Sequence, residues 1–407
     1  ALVATYAGAT EYWNLKPVLG YWLLELSYQV FGETPFALRV PAALSGLALV
    51  ALTILFARSV AGAGVGLLAG VILATCFGFL GHHAVRSGDL DAPLALSLFP
   101  ILFLVPRLAA ERWARLALGL TLGLAFLLKS FAILPFIAAA ATYCVITRGP
   151  GSWRLWVLPA SIALLIAVVW AVARSAGDSG EFVHRMVVED LLQRSTSQVD
   201  PGKNGPWDYL GCIFDRIAPW PVVIVAALAL ARGGTQQGPL TGGWLLVWCY
   251  ALIPLVLFTA ARTHHSWYIV PTYPAWAILG AASLVDLYRR AQTSDVGRFC
   301  VGAVAVIGLL ACEGRIISQM FFHSRLTDGE LFLVSLGNGH LPRGSRLDVG
   351  FEPSYSERFI LQVVDGYVLN ESSSVTSRYR LVIRRPTGRL AVVAQDPTYA
   401  LADTGQR

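Results

Sequence analysis

The chain has 407 residues, of which 56% are hydrophobic and only 14% charged, with a mean hydropathy of +0.60. A soluble domain carries about 25% charged residues, so a single soluble enzyme is excluded and a polytopic helical membrane protein fits, because lipid replaces most of the polar exterior. The net charge of +6 comes almost wholly from arginines that stand singly at the ends of apolar runs, without the basic, aromatic-laced stripe of a nucleic-acid binder.

In chain order, the first apolar run is Pro17 to Phe31. Glu25 and its modest length predict a helix lying in the membrane interface. Ten apolar segments follow, at 40–58, 63–82, 91–106, 114–129, 131–147, 155–173, 217–231, 241–260, 267–286 and 299–314. They predict about ten transmembrane helices, although several fall short of the roughly 20 residues a span needs. Gly62, Gly64, Gly66 and Gly70 read as sites of close helix packing. Alternate short loops hold Arg58, Arg107, Arg112, Arg115, Arg148, Arg154, Arg232, Arg289, Arg290 and Arg298, which marks that side as cytoplasmic. The outer side then receives a long loop at 174–216 and all three lysines, Lys16, Lys129 and Lys203. The six cysteines show no CxxC spacing and read as small core residues. Beyond about residue 315 the charged fraction rises. Alternating runs such as Arg380 to Ile383 and Leu390 to Val393 predict strands of a small soluble α/β or mostly β domain over 316–407.

Polar groups at membrane level cost free energy and are functional suspects for that reason. Five places on the outer side collect them. Glu11 to Pro17 sets Lys16 at the lip of an apolar groove, suited to a lipid phosphate; the plainer alternative is an interfacial Trp/Tyr/Lys anchor. His82 to Asp91 offers two histidines, Arg86, Asp89 and Asp91, a set that could bind a divalent metal, a sugar or a pyrophosphate-like group, or could simply cap a helix. Neither this histidine pair nor His264–His265 has zinc-helix spacing. Lys129 stands alone between two apolar runs, where snorkelling is the alternative. The loop from Glu181 to Trp220, with Glu189, Asp190, Arg194, Lys203, Asp208 and Arg216, is too long for a mere connector and reads as a lid or substrate-binding element. Finally, Arg262 to Pro274 places His264 and His265 near any anionic group, while Tyr268 and the prolines shape a broken helix start.

Taken in order, these places resemble the GT-C glycosyltransferases of the protein mannosyltransferase and aminoarabinose transferase superfamily. The residues that carry the resemblance are Lys16-Pro17 leading to Tyr21-Trp22-Leu23, Phe31-Gly32 through Arg39-Val40-Pro41 to Leu44, Arg86 with Asp91, Gly123 to Ser130, Pro219-Trp220, and Trp267 to Ala275. The resemblance implies a GT-C membrane domain over 1–315. It also implies a polyprenyl-phosphate-linked sugar donor and inverting transfer to a lipid, glycan or protein acceptor in the cell envelope. It assigns the donor phosphate to Lys16, Lys129, Arg194 and His264, and gives Asp91 the orientation of the acceptor or of a metal. Glu11, Arg86, Asp89, Lys203, His265 and Tyr268 become further substrate-binding candidates.

The chain departs from the family pattern at Val18, where a second proline is usual, at Ser130, usually glycine, and at His264, often lysine. The family's usual carboxylate base lies in a first outer loop well ahead of the lysine-proline segment. Because the chain opens abruptly at Ala1 without a methionine, the expectation is a longer natural protein whose first helix and base precede it. The rival of a different class is a non-catalytic polyprenyl-phosphate binder or carrier; a transporter is disfavoured by the lack of repeat halves.

Overall fold

The computed structural model describes residues 15–81, 83–177, 179–197, 205, 207–230, 244–318, 328–337, 341–342, 344–349, 361, 367–370, 379–383, 391–395 and 399–403. The chain divides into two compact units, Ala1–Ser27 with Leu38–Ile316, and Tyr28–Ala37 with Ile317–Arg407.

The larger unit is helical, and each apolar segment of the sequence forms helix within its described part. The elements are α1 (Leu19–Phe31) and α2 (Pro35–Ala61), apart from their residues in Tyr28–Ala37, then α3 (Ala63–Ala74), α4 (Asp91–Leu98), α5 (Arg112–Lys129), α6 (Leu134–Arg148) and α7 (Val157–Ser175). They continue as α8 (Asp208–Arg216), α9 (Trp220–Leu230), α10 (Leu245–Ala260), α11 (Tyr273–Arg290) and α12 (Asp295–Ser318).

Ten spans were expected. Among the described residues four helical runs are long and apolar enough to cross a membrane, at Pro35–Ala61, Arg112–Arg148, Pro150–Ser175 and Asp295–Ser318; α8 with α9, bent by 101°, makes a fifth if counted as one span. The shortfall has several local causes: the 114–129 and 131–147 runs fall within the single run Arg112–Arg148, and Leu245–Ala260 is too short. The 63–82 run breaks at Thr75 and Cys76, and the 91–106 run breaks at Phe99 and Pro100 into α4 and the short helix Ile101–Leu104. Along α7 the side chains of Leu164, Leu165, Val168, Val169 and Val172 face outwards, as do Val296, Phe299, Ile307 and Leu310 of α12. Only a lipid surround satisfies so much exposed apolar surface on helices whose backbone bonds are already closed.

The main core is built from pairs of these helices: α5 against α7, α6 against α10, and α3 and α9 against α11. α11 supplies the centre, with Tyr273 through Leu284 buried. Small residues set how closely the helices approach. A Cβ on Gly119 would lie 2.7 Å from Ile162 Cβ, and one on Gly123 2.5 Å from Ile166 Cδ1, so α5 meets α7 along a Gly-x-x-x-Gly face. Gly66 and Gly70 do the same against Ile54. The other two glycines expected to pack closely do not: Gly64 has open space around it, and Gly62 serves the break between α2 and α3 with φ +91. Replacing Gly123 with Leu is expected to destabilise the α5–α7 contact by about 1–3 kcal/mol, through overpacking. A thermal unfolding midpoint in detergent equal to wild type would contradict this.

All six cysteines are free; Cys76, Cys144, Cys249 and Cys312 are buried and Cys300 is exposed. Four thus serve as small core residues, while Cys300 lies on the outward side of α12.

The smaller unit holds α13 (Asp328–Gly337) and a five-stranded mixed sheet. Its strands are β1 (Arg346–Val349), β2 (Val368–Asn370), β3 (Tyr379–Ile383), β4 (Ala391–Gln395) and β5 (Tyr399–Asp403), in the order β2-β1-β3-β5-β4. β1 runs parallel to β2 and β3, while β5 is antiparallel to both β3 and β4. Leu333 and Leu336 of α13 join Leu347, Leu381 and Leu401 in one apolar core, so the helix closes a face the sheet cannot bury alone.

Candidate functional site

The site begins with the lysine-proline segment. Pro17 and Val18 turn inwards, and Val18 packs with Trp170 of α7 and with Phe182 and Met186 of the following loop. Val18 therefore serves as an apolar anchor. Gly20 fixes α1 from the other side: a Cβ there would come within 2.5 Å of Leu90, beside Asp91. Held at both points, Lys16 projects from a rigid base.

The loop after α7 is largely helical. Glu181–Arg185 runs into a π-helical stretch, Met186–Gln193, and a last turn, Arg194–Thr196. Such widened turns often mark functional sites. Phe182 and Met186 anchor this loop in the core, while Arg185 and Glu189 pair on it at 2.6 Å. Asp190 reaches Lys16: its two carboxylate oxygens each accept a hydrogen bond from Lys16 Nζ at 2.7 Å, and Ser130 Oγ donates to Oδ2 at 2.8 Å.

Ser130 ends α5 with φ 43 and ψ −121, a left-handed conformation that favours glycine. The family's glycine at this position has a backbone reason. Here a serine holds the same turn and spends its hydroxyl on Asp190.

Lys129, the last residue of α5, points to the N-terminus of α4, where its Nζ donates to Asp91 Oδ1 at 2.5 Å. Both are buried, Asp91 to 1% exposure and Lys129 to 8%. Asp91 Oδ2 has no hydrogen-bond partner among the described residues. Lys129 also lies 5.9 Å from the ring centroid of Tyr268, at the cation–π limit.

A cavity of about 360 Å³ joins these groups. Lys16, Lys129, Asp190, Ser195, Thr263 and Tyr268 form its polar wall, and Phe131, Leu134, Pro135, Ala138, Leu257 and Phe258 its apolar wall. Two ammonium groups and the Asp190 carboxylate thus stand on one wall of a slot whose other wall is apolar. Charge-assisted hydrogen bonds to an anion are strongest where water is scarce.

The other expected residues fall elsewhere. Asp91 lies behind Lys129, off the cavity wall. His264 is buried and its Nε2 faces the carbonyls of Ala261 at 2.9 Å and Thr259 at 3.2 Å, while its Nδ1 lies 3.5 Å from Asp208 Oδ2. The backbone N–H of His265 donates to Tyr209 Oη at 3.2 Å. His83 and His265 stack on Trp267, with ring centroids 3.8 Å and 4.3 Å away, and His83 Nδ1 is hydrogen-bonded to Asp89 Oδ2. Burial pushes the Asp89 carboxyl up, but the hydrogen bond and charge of His83, with the charge of Lys129, outweigh it and hold the group below its usual range. Arg86 is exposed. Glu11, His82 and Lys203, and the side chain of Arg194, lie outside the described residues. No three His, Cys, Asp or Glu side chains among the described residues converge so as to hold a metal ion.

Asp190 was visible in sequence only as one charge among several in a long loop, and nothing in its spacing marked it. Ser195 and Thr263 carried no signal either.

Residues 15–173, which contain Lys16, Asp91, Lys129 and Ser130, match the family described as dolichyl-phosphate-mannose-protein mannosyltransferase. The match covers well under half of the chain and is a similarity of that segment to the family. The resemblance read from the motifs is therefore borne out. The undecaprenyl phosphate-alpha-4-amino-4-deoxy-L-arabinose arabinosyl transferase of Aeromonas salmonicida is 28% identical over 316 residues, 72% of this chain and 56% of its own length. An enzyme of the same name from Pseudomonas fluorescens is 27% identical over 337 residues, 79% of this chain and 56% of its own. The chain thus spans little more than half the length of these relatives. Among solved structures, ArnT from Cupriavidus metallidurans bound to undecaprenyl phosphate superposes with a TM-score of 0.68 at 18% identity, covering 95% of this chain and 87% of that one. The oligosaccharyltransferase of Archaeoglobus fulgidus follows at a TM-score of 0.52 and 10% identity, covering 91% and 60%. These likenesses establish a shared fold.

Proposed function

We propose that the protein is a membrane glycosyltransferase. It would take a sugar from a polyprenyl-phosphate-linked donor and pass it, with inversion, to a lipid, glycan or protein acceptor of a bacterial cell envelope. The observation that carries this reading is the cavity in which Lys16 and Lys129 meet walls of Phe, Leu, Pro and Ala side chains. Such a slot suits a molecule with an anionic head and a long hydrocarbon tail. The family of residues 15–173 and the names of the relatives point the same way.

In this reading Lys16 contacts the phosphate and Lys129 supports it. Asp91 holds Lys129 in place through its hydrogen bond, a positioning role in place of direct contact with acceptor or metal. The acceptor oxygen bonds the sugar carbon and gives its proton to a carboxylate base, the role the resemblance assigns to an acidic residue ahead of Lys16. The carbon–oxygen bond to phosphate breaks and its electron pair stays on the phosphate. The lysines act as fixed positive charges where negative charge develops, and with phosphate already a good leaving group the tasks left are this stabilisation and activation of the acceptor. We place the site and the smaller unit on the extracytoplasmic side of the inner membrane. We also take the shorter apolar helices to complete about ten crossings, with α1 lying in the interface.

The test is binding in lipid nanodiscs. A polyprenyl monophosphate is expected to bind at least tenfold tighter than the neutral polyprenol of the same length, as charge-assisted contacts at a desolvated site would give. Equal affinity for the two lipids would overturn the reading. Transfer of radiolabelled sugar to extracted envelope acceptors then separates an enzyme from a carrier.

A further inference from the structure

Lys16 already holds an anion. Both oxygens of Asp190 take hydrogen bonds from its ammonium group at 2.7 Å, and Ser130 Oγ supplies a third donor. An ammonium and a hydroxyl converging on one carboxylate is also how a small phosphate head would be received. Unlike Asp91, this carboxylate stands on the cavity wall, in a loop helix whose next turn contributes Ser195 to the same wall. Ser130 keeps a backbone conformation that side-chain-bearing residues avoid, and its hydroxyl is on Asp190.

We propose that Asp190 fills the phosphate subsite at Lys16 when the site is empty and, through its fixed charge, selects the phosphodiester donor over the phosphomonoester left after transfer. The proposal rests on the polyprenyl-phosphate reading of the cavity. Among the described residues, the ammonium groups of Lys16 and Lys129 are each hydrogen-bonded to a carboxylate, Asp190 and Asp91. A phosphodiester donor brings one negative charge. Transfer breaks the bond between sugar carbon and phosphate oxygen and leaves the electron pair on phosphate, while the acceptor's proton goes to a carboxylate base. The resulting monoester carries about −1.5 to −2 near neutral pH. Asp190 repels this product more than the donor, and on product release it returns to Lys16. Binding of the next donor displaces it again.

The probes are a polyprenyl monophosphate and the methyl phosphodiester of the same lipid, measured in phosphatidylcholine nanodiscs. At pH 8, Asp190→Asn is expected to tighten binding of the monophosphate about tenfold more than that of the diester, which is about 1.4 kcal/mol. At pH 5, below the second phosphate pKa of about 6, both lipids carry a single charge and the substitution is expected to change the two affinities alike. An unchanged ratio at pH 8 overturns the proposal. So does loss of both lipids, which would make Asp190 merely the anchor of Lys16. If Asp190→Asn yields no folded protein, Ser130→Gly carries the test. It relaxes the backbone, removes the hydroxyl that holds Asp190, and is expected to move the ratio in the same direction by a smaller factor; no movement overturns the proposal. Binding of both lipids that Lys16→Ala leaves intact would instead sink the donor-site reading, a different failure.

Discussion

Lys16→Ala in the active protein is expected to lower kcat/KM for transfer from a polyprenyl-phosphate sugar by about 10²–10³-fold. Two effects add. The phosphate loses the ammonium group at the head of the cavity, and Asp190, which now receives two hydrogen bonds from Lys16, keeps its charge beside the incoming anion. Truncating one partner of a desolvated charge pair costs about 2–5 kcal/mol, and each 1.36 kcal/mol is tenfold in rate. The loss should fall on kcat as well as KM, because phosphate gains charge as the sugar departs and the lysine then matters more than in the ground state. Steady-state kinetics with purified donor measures both. Turnover at the wild-type rate would remove Lys16 from the mechanism and with it the present assignment of the cavity.

The second large effect is one of stability. Asp91→Ala is expected to destabilise the larger unit by about 3–5 kcal/mol, because it strands the Lys129 ammonium in the interior. Asp91 is 1% exposed and Lys129 8%, and the pair is closed at 2.5 Å, so the carboxylate is the charge that offsets the buried ammonium. The double change Asp91→Asn with Lys129→Met should recover most of the lost stability, since it removes both charges and keeps similar volume. It should not recover lipid-phosphate binding. Thermal unfolding in detergent, read alongside monophosphate affinity, separates the two outcomes. A single substitution that left the unfolding midpoint in place would show that the pair does not hold α4 to α5.

The two experiments address residues of different legibility. Lys16 and Lys129 are two of only three lysines, and each interrupts or borders an apolar run, so the cost of placing them there marked them at once. Asp91 could be named, and the resemblance gives it the orientation of the acceptor or of a metal. Its place at a helix start suggested a cap or a ligand, and only the fold showed its oxygen taken by Lys129. Asp190 was one of several charges in a long loop, and no periodicity distinguishes a carboxylate that faces a cavity from one that faces water. His264 shows the reverse case: adjacency to His265 and a family position suggested an anion contact, yet its ring is turned to the carbonyls that end α10. Ser130 was noted as a departure from glycine, and its φ of 43 supplies the reason that glycine is usual.

At the level of architecture, hydropathy identified every apolar segment that forms helix, but overcounted those of crossing length. Runs such as 63–82 and 91–106 are apolar throughout, and what divides them is backbone conformation at Thr75, Cys76, Phe99 and Pro100, to which a hydropathy sum is blind. The strands around Arg380–Ile383 and Val392–Val393 were legible from alternation, whereas the parallel pairing of β1 with β2 and β3 was not, because register is a property of the assembled sheet.

By itself, then, the sequence determined the solvent this chain folds in, the helices it makes there, and the family that residues 15–173 resemble. Those follow from composition and from short motifs, which act locally. The tertiary structure alone decided which charges meet. Lys16 and Asp190 are 174 positions apart, and Lys129 and Asp91 are 38. They come together because Phe182 and Met186 pack a distant loop beneath the Lys16 segment, and because Gly119 and Gly123 let α7 close on α5. In an interior of low dielectric, that packing determines whether a charge is a cost or a site.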